Sequence, residues 1–251
     1  MKTVRIIPKL EVKNENLIKG VHLDGLRIVG KPEKAALEYA QAGADELIYL
    51  DLVASLYQRE NWIKIVRRTA EQIYIPLTVG GGIRTLEDAK LFFRNGADKV
   101  AINTGIVNNP RLVTIIAKKF GSQAMVASLE VQKKISGGYE VFTDSGRTQT
   151  GLDPVTWAKK VEKLGAGEIL LTFIHRDGTM KGYDLELLRQ ISSQAKIPVI
   201  ASGGAGTIED LIEAIKAGAD ALAIASLLHF KKMTIGQIKA QLKLKNIKIR
   251  L

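Results

Sequence analysis

An internal repeat at a fixed offset constrains the fold of this sequence more than any other feature. Residues 75–106 align without a gap with residues 197–228, a shift of 122 positions, and 12 of the 32 aligned pairs are identical. The identities include an Ile-Pro pair, a Gly-Gly pair, a Glu-Asp pair and the triplet Gly-Ala-Asp. A shift of 119 positions likewise superimposes Leu10-Glu11-Val12 on Leu129-Glu130-Val131. Because duplicated sequence reports duplicated structural units, the chain is predicted to consist of two copies of one half.

Short apolar runs alternate with helical patterns eight times along the chain. Strands that alternate with helices predict a parallel sheet, and eight such units in 251 residues are typical of a closed (β/α)8 TIM barrel. No linker or low-complexity segment divides the chain, so we expect one domain, residues 1–251, built from two homologous half-barrels of about 1–120 and 121–251. The predicted strands are 4–12, 45–52, 74–80, 98–103, 123–131, 168–174, 197–202 and 220–225, and the predicted helices are 32–42, 60–72, 85–95, 110–119, 153–164, 184–194, 207–217 and 234–244.

In both copies of the repeat a predicted strand ends in glycines, and a threonine with an acidic pair then begins a helix. Glycine allows a close approach of the backbone to a ligand, and the start of a helix offers free N–H groups and a positive dipole end, which together bind phosphate. One such loop is more often a plain turn. Two loops at matched positions, each followed by a strand that ends in small polar residues, predict a ligand with two phosphates, one held by each half. Those polar residues are Asn103-Thr104 and Ala225-Ser226.

The composition excludes several functional classes. There is no cysteine, and His22, His175 and His229 lack metal-site spacing, so we expect neither a metal nor another cofactor. No run approaches the ~18 apolar residues of a membrane span, and the N-terminus leads directly into a strand and not into a signal peptide. These features predict a cytoplasmic enzyme that does not associate with membranes.

The net charge of +11 raises the question of nucleic-acid binding. The lysines alternate with apolar residues at helical or strand spacing, and no aromatic-rich basic stripe accompanies them, since aromatic residues are 6% of the chain. We therefore interpret the lysines as solvated outer faces that attract phosphorylated metabolites, and we expect no nucleic-acid partner.

Glu11 and Glu130 each lie at the end of a predicted strand, just before a long segment, one in each half. Carboxylates that face each other at the carboxyl ends of barrel strands suit general acid–base catalysis, because a shared environment can separate their pKa values. The alternative is that each forms an ion pair with a lysine at the mouth of a loop, but their match under the repeat favours a catalytic role. The segments that follow, Lys13–Lys31 and Lys133–Thr150, are expected to include a mobile lid, and the second a small hairpin.

Four charged residues occur at the starts of predicted strands at the opposite end of the barrel. Two are positive and two are negative, so they can form a neutral ring, and burial requires such pairing. A purely structural layer of ion pairs is the interpretation that spacing alone favours. The four residues are Arg5, Glu46, Lys99 and Glu168.

Taken together, several segments resemble the cyclase subunit of imidazole glycerol phosphate synthase over essentially the whole chain. The resemblance implies an enzyme of histidine biosynthesis that forms a heterodimer with a glutaminase, whose ammonia enters at the N-terminal face of the barrel. It also implies a bisphosphorylated formimino carboxamide ribotide as substrate, and imidazole glycerol phosphate and aminoimidazole carboxamide ribotide as products. The segments are RIIPKLEV, DELIYLD, IPLTVGGGIRT, GADKVAINT, FGSQAMV, GAGEILLT, RDGTMKGYD and IPVIASGGAG.

The resemblance also implies a role for individual residues at matching positions. Glu11 and Glu130 match the catalytic pair, and Lys19 matches a lysine that contacts the substrate. The ammonia gate matches Arg5, Glu46, Lys99 and Glu168. One phosphate would be held by Gly82, Asn103 and Thr104, and the other side would be served by Asp177, Gly178, Gly204, Ala225 and Ser226.

The sequence departs from the family pattern at the catalytic pair. Strand 1 of the family usually ends in Cys-Leu-Asp, whereas here it ends in Lys9-Leu10-Glu11, and the second aspartate matches Glu130. Lys9 is expected to point into the barrel and to pair with Glu11, lowering its basicity or narrowing the ammonia path. His175 replaces an aspartate and is expected to be a bulky residue at the mouth of the barrel.

These departures resemble divergent paralogues that are associated with acetamidino-sugar modification in surface-polysaccharide pathways. Three hypotheses follow. The first is a glutaminase-coupled cyclase, and the second is a paralogue in which the same fold and glutaminase pairing serve sugar amidation. The third is a barrel with weak catalysis that binds a phosphorylated ligand and activates a partner.

Overall fold

Eight parallel strands form a closed barrel in the part of the chain that the computed structural model describes, residues 3–53 and 59–250. Every predicted strand has its counterpart, and four further strands form two antiparallel extensions. The strands are β1 (Arg5–Lys13), β2 (Asn16–Val21), β3 (Asp24–Gly30), β4 (Leu47–Asp51), β5 (Leu77–Gly80), β6 (Lys99–Ile102), β7 (Met125–Lys133), β8 (Tyr139–Thr143), β9 (Thr148–Gln149), β10 (Glu168–Phe173), β11 (Val199–Ser202) and β12 (Ala221–Ile224).

The barrel closes because β12 pairs in parallel with β1, in a register that runs from Arg5 opposite Ala221 to Pro8 opposite Ile224. Going around the barrel from β1, the strands are β4, β5, β6, β7, β10, β11 and β12, each parallel to the next. The predicted (β/α)8 barrel is therefore confirmed.

All eight predicted helices are present, and two short helices were not predicted. The short helices follow β6 and β12 and lie at matched positions of the two halves. No helix among the described residues is long and apolar enough to cross a membrane. The helices are α1 (Pro32–Gln41), α2 (Arg59–Ala70), α3 (Leu86–Arg94), α4 (Thr104–Asn108), α5 (Arg111–Phe120), α6 (Pro154–Leu164), α7 (Leu185–Ser192), α8 (Ile208–Lys216), α9 (Ser226–His229) and α10 (Ile235–Leu244), with a 3-10 turn at Ser122–Ala124.

The two antiparallel extensions occur at matched positions, one after the first strand of each half. β2 continues directly from β1 and pairs with β3, and β8 continues from β7 and pairs with β9. The predicted hairpin after strand 5 is thus confirmed, whereas the segment after strand 1 is a second hairpin that was not predicted. That hairpin is docked on the barrel, since the His22 N–H donates to the Asp177 carbonyl at 2.8 Å.

Side chains on the barrel strands alternate between two apolar layers, as the two-residue period of a strand requires. On β1, Ile6 and Leu10 pack outward against the helices, whereas Ile7 packs inside the barrel. The inner layer is thin and lies midway along the barrel. Polar side chains occupy the barrel interior on both sides of this layer, towards the amino and the carboxyl ends of the strands. Its members are Ile7, Ile48, Ala101, Val126, Leu170, Ile200, Ala221 and Ala223.

The repeat is preserved in atomic detail where α3 and α8 begin. The Thr85 hydroxyl accepts from the Asp88 N–H at 3.2 Å, and the Asp88 carboxylate accepts in return from the Thr85 N–H at 2.9 Å. Thr207 and Asp210 make the same two hydrogen bonds at the same two distances. These capping boxes satisfy backbone donors that a helix start otherwise leaves free.

Thr85→Ala and Thr207→Ala are each expected to lower the free energy of unfolding by about 1 kcal/mol, because each removes one capping hydroxyl. Urea denaturation followed by circular dichroism measures the effect. Thr85→Ser and Thr207→Ser keep the hydroxyl and serve as controls. Unequal losses in the two alanine variants would show that the two caps are not energetically equivalent.

Candidate active site

Glu11 and Glu130 both lie where a barrel strand passes from parallel pairing with its neighbour to antiparallel pairing with its own hairpin. Glu11 is opposite Ile18 of β2, and Glu130 is opposite Phe142 of β8. Both positions are at the carboxyl ends of barrel strands, the face where TIM barrels carry their active sites. The residues that the repeat matched therefore occupy equivalent places in the two halves.

Glu11 belongs to a buried ring of four charged side chains, which we call the lysine–carboxylate ring. Its members are Lys9, Glu11, Lys19 and Asp177, with exposed fractions of 1%, 0%, 3% and 2%. Lys9 Nζ is 2.9 Å from Glu11 Oε1 and 3.3 Å from Asp177 Oδ2. Lys19 Nζ is 2.7 Å from Glu11 Oε2 and also donates to Asp177 Oδ1. Each lysine thus contacts both carboxylates, and the ring is neutral.

The lysine–carboxylate ring holds Glu11 in its ionised form. Burial by itself would raise the pKa of Glu11, but the charges of Lys19 and Lys9 and their hydrogen bonds outweigh burial and lower this pKa to about 2. The pKa of Lys9 is raised, because Asp177 and Glu11 together outweigh the effect of its burial. The expected pairing of Lys9 with Glu11 is confirmed.

Glu130 has the opposite environment. Burial raises its pKa to about 7, against the lowering effects of the Gly146 N–H, which donates to the carboxylate, and of the positive charge of Lys9. Glu11 and Asp144 add repulsion in the same direction as burial. Although the residue is partly exposed as a whole, Glu130 Oε2 is shielded from solvent and has no hydrogen-bond partner among the described residues. At neutral pH one glutamate is thus ionised and the other is close to its midpoint.

Among the cavities that described residues line, two lie at this face at matched positions of the two halves. The first is lined by Gly82, Asn103 and Thr104 together with Glu130. Glu11 lines neither cavity, because it lies completely buried beside the two lysines. The second cavity is lined by the other predicted binding residues, Lys19, Asp177, Gly178, Gly204, Ala225 and Ser226, and by Lys9.

Polar atoms in both cavities are available to a ligand. Asn103 Nδ2 donates to the Phe142 carbonyl at 3.0 Å, while its Oδ1 is buried with no partner among the described residues. The Ser226 hydroxyl is also buried without such a partner. Thr104, which the repeat matches to Ser226, instead accepts from the Asp144 N–H at 3.0 Å.

Gly204 is required by the protein's own packing. Its φ of +118° disfavours other residues, and a Cβ at this position would lie 2.2 Å from the Gly182 carbonyl oxygen. The Gly182 N–H donates to the Gly204 carbonyl at 2.8 Å. The interpretation of this glycine as a means of ligand approach is therefore incomplete, because the two loops also pack directly on each other.

The four charged residues at the opposite end of the barrel form the predicted neutral ring. Arg5 Nη1 is 2.8 Å from both Glu46 Oε1 and Glu168 Oε1. Lys99 Nζ is 2.9 Å from Glu46 Oε2 and 3.2 Å from Glu168 Oε2. We call this set the entry ring. Its geometry is confirmed, whereas its assignment as an ammonia gate stays a prediction.

His175 does not lie in the site. Its Nε2 is 2.9 Å from Asp184 Oδ2, and Asp184 in turn caps the start of α7 by accepting from the Leu187 N–H. It follows the end of β10 by two residues, at the carboxyl end of the barrel, and lines neither cavity, so its expected role as a bulky residue at the mouth stays a prediction. A group of histidine, cysteine, aspartate or glutamate side chains that could hold a metal ion does not occur in residues 3–53 and 59–250.

The sequence analysis missed two parts of the site. The turn between β8 and β9 supplies Asp144 and Ser145 to the first cavity and the Gly146 N–H to Glu130. His229, at the end of α9, contacts the Lys9 carbonyl through Nε2 at 3.1 Å. The predicted hairpin was the signal for the turn, but no sequence signal indicated the contact between His229 and β1.

Comparison with known proteins identifies close relatives over nearly the whole chain. A family model described as "Histidine biosynthesis protein" matches residues 5–234. A Legionella pneumophila protein is 57% identical over 210 residues, which are 84% of this chain and 99% of that protein. A Pyrobaculum aerophilum protein is 50% identical over 251 residues, 99% of this chain and 98% of its own. Both relatives are named "Imidazole glycerol phosphate synthase subunit HisF".

Replacing Glu130 by glutamine is expected to stabilise the protein increasingly as pH rises. With a pKa of about 7 in the folded state and 4.5 as the ordinary value, the folded state retains a proton that the unfolded state has released. The wild type therefore loses stability between about pH 4.5 and pH 7, and Glu130→Gln removes this loss. Between pH 5 and pH 8 the variant should gain about 1–3 kcal/mol relative to the wild type, measured by urea denaturation.

Glu213→Gln is the matched control for this experiment, because the Glu213 side chain is 45% exposed and pairs with Lys216 on the same helix. Its effect on the free energy of unfolding should be small and nearly independent of pH. A constant difference between Glu130→Gln and the wild type from pH 5 to pH 8 would contradict the assignment of a raised pKa.

Proposed function

This chain belongs to the histidine biosynthesis protein family, and we infer that it is the cyclase subunit of an imidazole glycerol phosphate synthase. One observation carries this inference: similarity over 84% or more of the chain, at 47–57% identity, to relatives that all bear this name. The two matched cavities, each lined by the residues expected to hold a phosphate, agree with it.

The reaction that we propose joins ammonia to a bisphosphorylated formimino carboxamide ribotide. The products are imidazole glycerol phosphate, aminoimidazole carboxamide ribotide and one molecule of water, which carries away the carbonyl oxygen that the ammonia nitrogen replaces. A substrate with a phosphate at each end fits a face that carries two cavities at pseudo-symmetric positions. The chain's excess positive charge favours the approach of such an anion.

Glu130 is the residue that we propose to transfer protons. Addition of ammonia and closure of a ring both require a proton to be removed and another to be delivered, and a group whose pKa lies near the working pH does this best. Glu130 has a pKa of about 7 and lines the first cavity. Its Oε2, which has no partner among the described residues, is the atom at which we place the proton.

Glu11 is proposed to act as a fixed negative charge close to the reacting atoms. Its carboxylate is ionised at any pH near neutrality, so it favours positive charge that develops on the attacking nitrogen. Lys19 and Lys9, which line the second cavity, lie between Glu11 and the substrate's second phosphate in this proposal.

We also propose that ammonia comes from a glutaminase that binds at the N-terminal end of the barrel. The relatives' names describe a subunit, which supports a multi-subunit enzyme. The entry ring lies at the starts of β1, β6 and β10 and just before β4, at the end of the barrel opposite the two cavities. Ammonia that passes this ring and the apolar inner layer would reach the site inside the protein.

Both glutamates should be needed for turnover. In Glu130→Gln the proton-transferring group is lost, so kcat should fall by about 100-fold or more. Glu11→Gln removes the fixed charge and leaves two buried lysines short of a partner, so kcat should also fall strongly. The measurement is conversion of the formimino ribotide by the purified chain with ammonium salts, and Glu213→Gln is the control that keeps wild-type rates.

A wild-type chain that binds this substrate without converting it would contradict the cyclase assignment. That outcome would favour the second candidate, a paralogue that serves acetamidino-sugar biosynthesis. This candidate is motivated by Lys9, Glu11 and Glu130, which depart from the cysteine and aspartates that the resemblance leads us to expect at these positions.

Ser226→Ala should weaken phosphate binding in the second cavity. A hydrogen bond to a charged group contributes about 1.5–3 kcal/mol, which corresponds to a Kd roughly 10-fold to 100-fold higher. Calorimetric titration with inorganic phosphate measures it. Ser193→Ala is the control, because Ser193 is exposed and bonds to its own helix. Equal phosphate affinity in Ser226→Ala and the wild type would rule out this hydroxyl as a phosphate ligand.

A further inference from the structure

Lys9 is a cation buried inside the barrel. The barrel closes through backbone pairing of β12 with β1, which does not depend on this side chain. The Lys9 side chain projects from β1 on the same face as Ile7 of the apolar inner layer and Glu11. Charge buried without a partner is strongly unfavourable, and Lys9 avoids this by contacting Glu11 at 2.9 Å and Asp177 at 3.3 Å. Its ammonium group therefore forms ion pairs with both carboxylates.

The lysine–carboxylate ring joins the two strands of the first hairpin to a distant residue in the second half. Lys9 and Glu11 lie on β1, Lys19 lies on the hairpin strand β2, and Asp177 follows β10 in the second half. Lys19 alone would tie the hairpin to both carboxylates. Lys9 adds the second contact to each carboxylate, so that both oxygens of Glu11 face an ammonium group.

The backbone at Lys9 is also held from outside the barrel. The His229 Nε2–H donates to the Lys9 carbonyl at 3.1 Å, because a carbonyl oxygen can only accept. Burial lowers the pKa of His229 to about 4, so its imidazole is neutral at physiological pH. The imidazole Nδ1 accepts a hydrogen bond from the Tyr39 hydroxyl at 2.7 Å. This chain of hydrogen bonds fixes the strand segment from which Lys9 and Glu11 both project.

We propose that Lys9 is a positioning residue for the reaction: together with Lys19 it keeps Glu11 as an oriented, permanently ionised carboxylate and thereby leaves proton transfer to Glu130. This proposal rests on the cyclase function inferred above and assigns the division of labour within its glutamate pair. Lys9 acts through Glu11 and does not itself exchange protons with the substrate.

The charged groups that face Glu11 and Glu130 determine in which direction their pKa values change when Lys9 is replaced. Glu11 faces Lys9 and Lys19. Glu130 faces Lys9 and Glu11 from β1 and Asp144 from the β8–β9 turn, and it accepts the Gly146 N–H. Removal of Lys9 takes a positive charge away from both carboxylates. The pKa of Glu11 and that of Glu130 should therefore both rise, the first because it loses a direct contact and the second because it loses a neighbouring cation.

The test compares Lys9→Met with the wild type in two measurements. The first is the dependence of kcat on pH with ammonium salts, at equal concentrations of free ammonia. The acid limb of the Lys9→Met profile should move to higher pH by about 1 unit or more and become steeper, because two carboxylates instead of one then take up protons in this range. Lys9→Arg keeps the charge and should restore a profile close to that of the wild type.

The second measurement is carbon-13 NMR of the side-chain carboxyl groups in protein labelled at glutamate, assigned with Glu11→Gln and Glu130→Gln. It needs no turnover, so it separates this proposal from the proposed function. In the wild type the Glu11 signal should not titrate above about pH 4, and in Lys9→Met it should titrate at higher pH. An unchanged Glu11 titration in Lys9→Met overturns the proposal whether or not the chain converts the formimino ribotide.

Lys239→Met is the matched control. Lys239 Nζ forms a 2.8 Å ion pair with the buried Asp45, so its loss also breaks a shielded lysine–carboxylate pair, but it lines neither cavity. It should lower the melting temperature and leave the pH profile unchanged. A purely structural Lys9 would behave in the same way, and that result would overturn the proposal. If Lys9→Met fails to fold, Lys9→Met with Asp177→Asn retains a neutral Lys19–Glu11 pair. The pKa of Glu11 should rise there as well, but by less, because the second substitution also removes a nearby negative charge.

Discussion

The pairing of charges inside the barrel is the constraint on which the rest of this structure depends. Two rings of alternating charge, each with two cations and two anions, lie at the two ends of the barrel. Between them lies a thin apolar layer that includes Ile7, Val126 and Leu170. Charged groups can leave water only where opposite charges and hydrogen bonds replace it. Removal of one member of either ring therefore leaves a buried charge without its full set of partners, which destabilises the fold.

Strand β1 connects the two rings, because residues two apart on a strand point to the same side. Arg5 contributes to the entry ring, Ile7 to the apolar layer, and Lys9 and Glu11 to the lysine–carboxylate ring. A shift of one residue in the register of this strand would turn all four side chains toward the helices. The parallel pairing of β1 with β4 and β12 thus positions the side chains of both charged rings.

The duplicated halves acquire different roles because their charges differ. Glu11 and Glu130 occupy equivalent places, yet Glu11 contacts two ammonium groups whereas Glu130 accepts a backbone N–H and keeps one shielded oxygen without a partner among the described residues. Buried next to cations, a carboxyl group stays ionised; buried without direct contact to them, it holds its proton to higher pH. A symmetric scaffold has in this way produced one permanent anion and one group that titrates near neutrality.

The sequence by itself determined the barrel, because the repeat and the alternation of strand and helix patterns depend on local periodicity. It also placed Glu11, Glu130 and the glycine loops at the active face, since the carboxyl ends of parallel barrel strands meet there. Strand alternation already predicted the pairing of Lys9 with Glu11, but the tertiary structure alone decided that both lysines also contact Asp177. Lys9 and Asp177 are 168 positions apart, and Lys19 lies on a hairpin that the pattern did not reveal. Protonation depends on distance and burial, which are properties of the folded chain, so only the fold could separate the two glutamates.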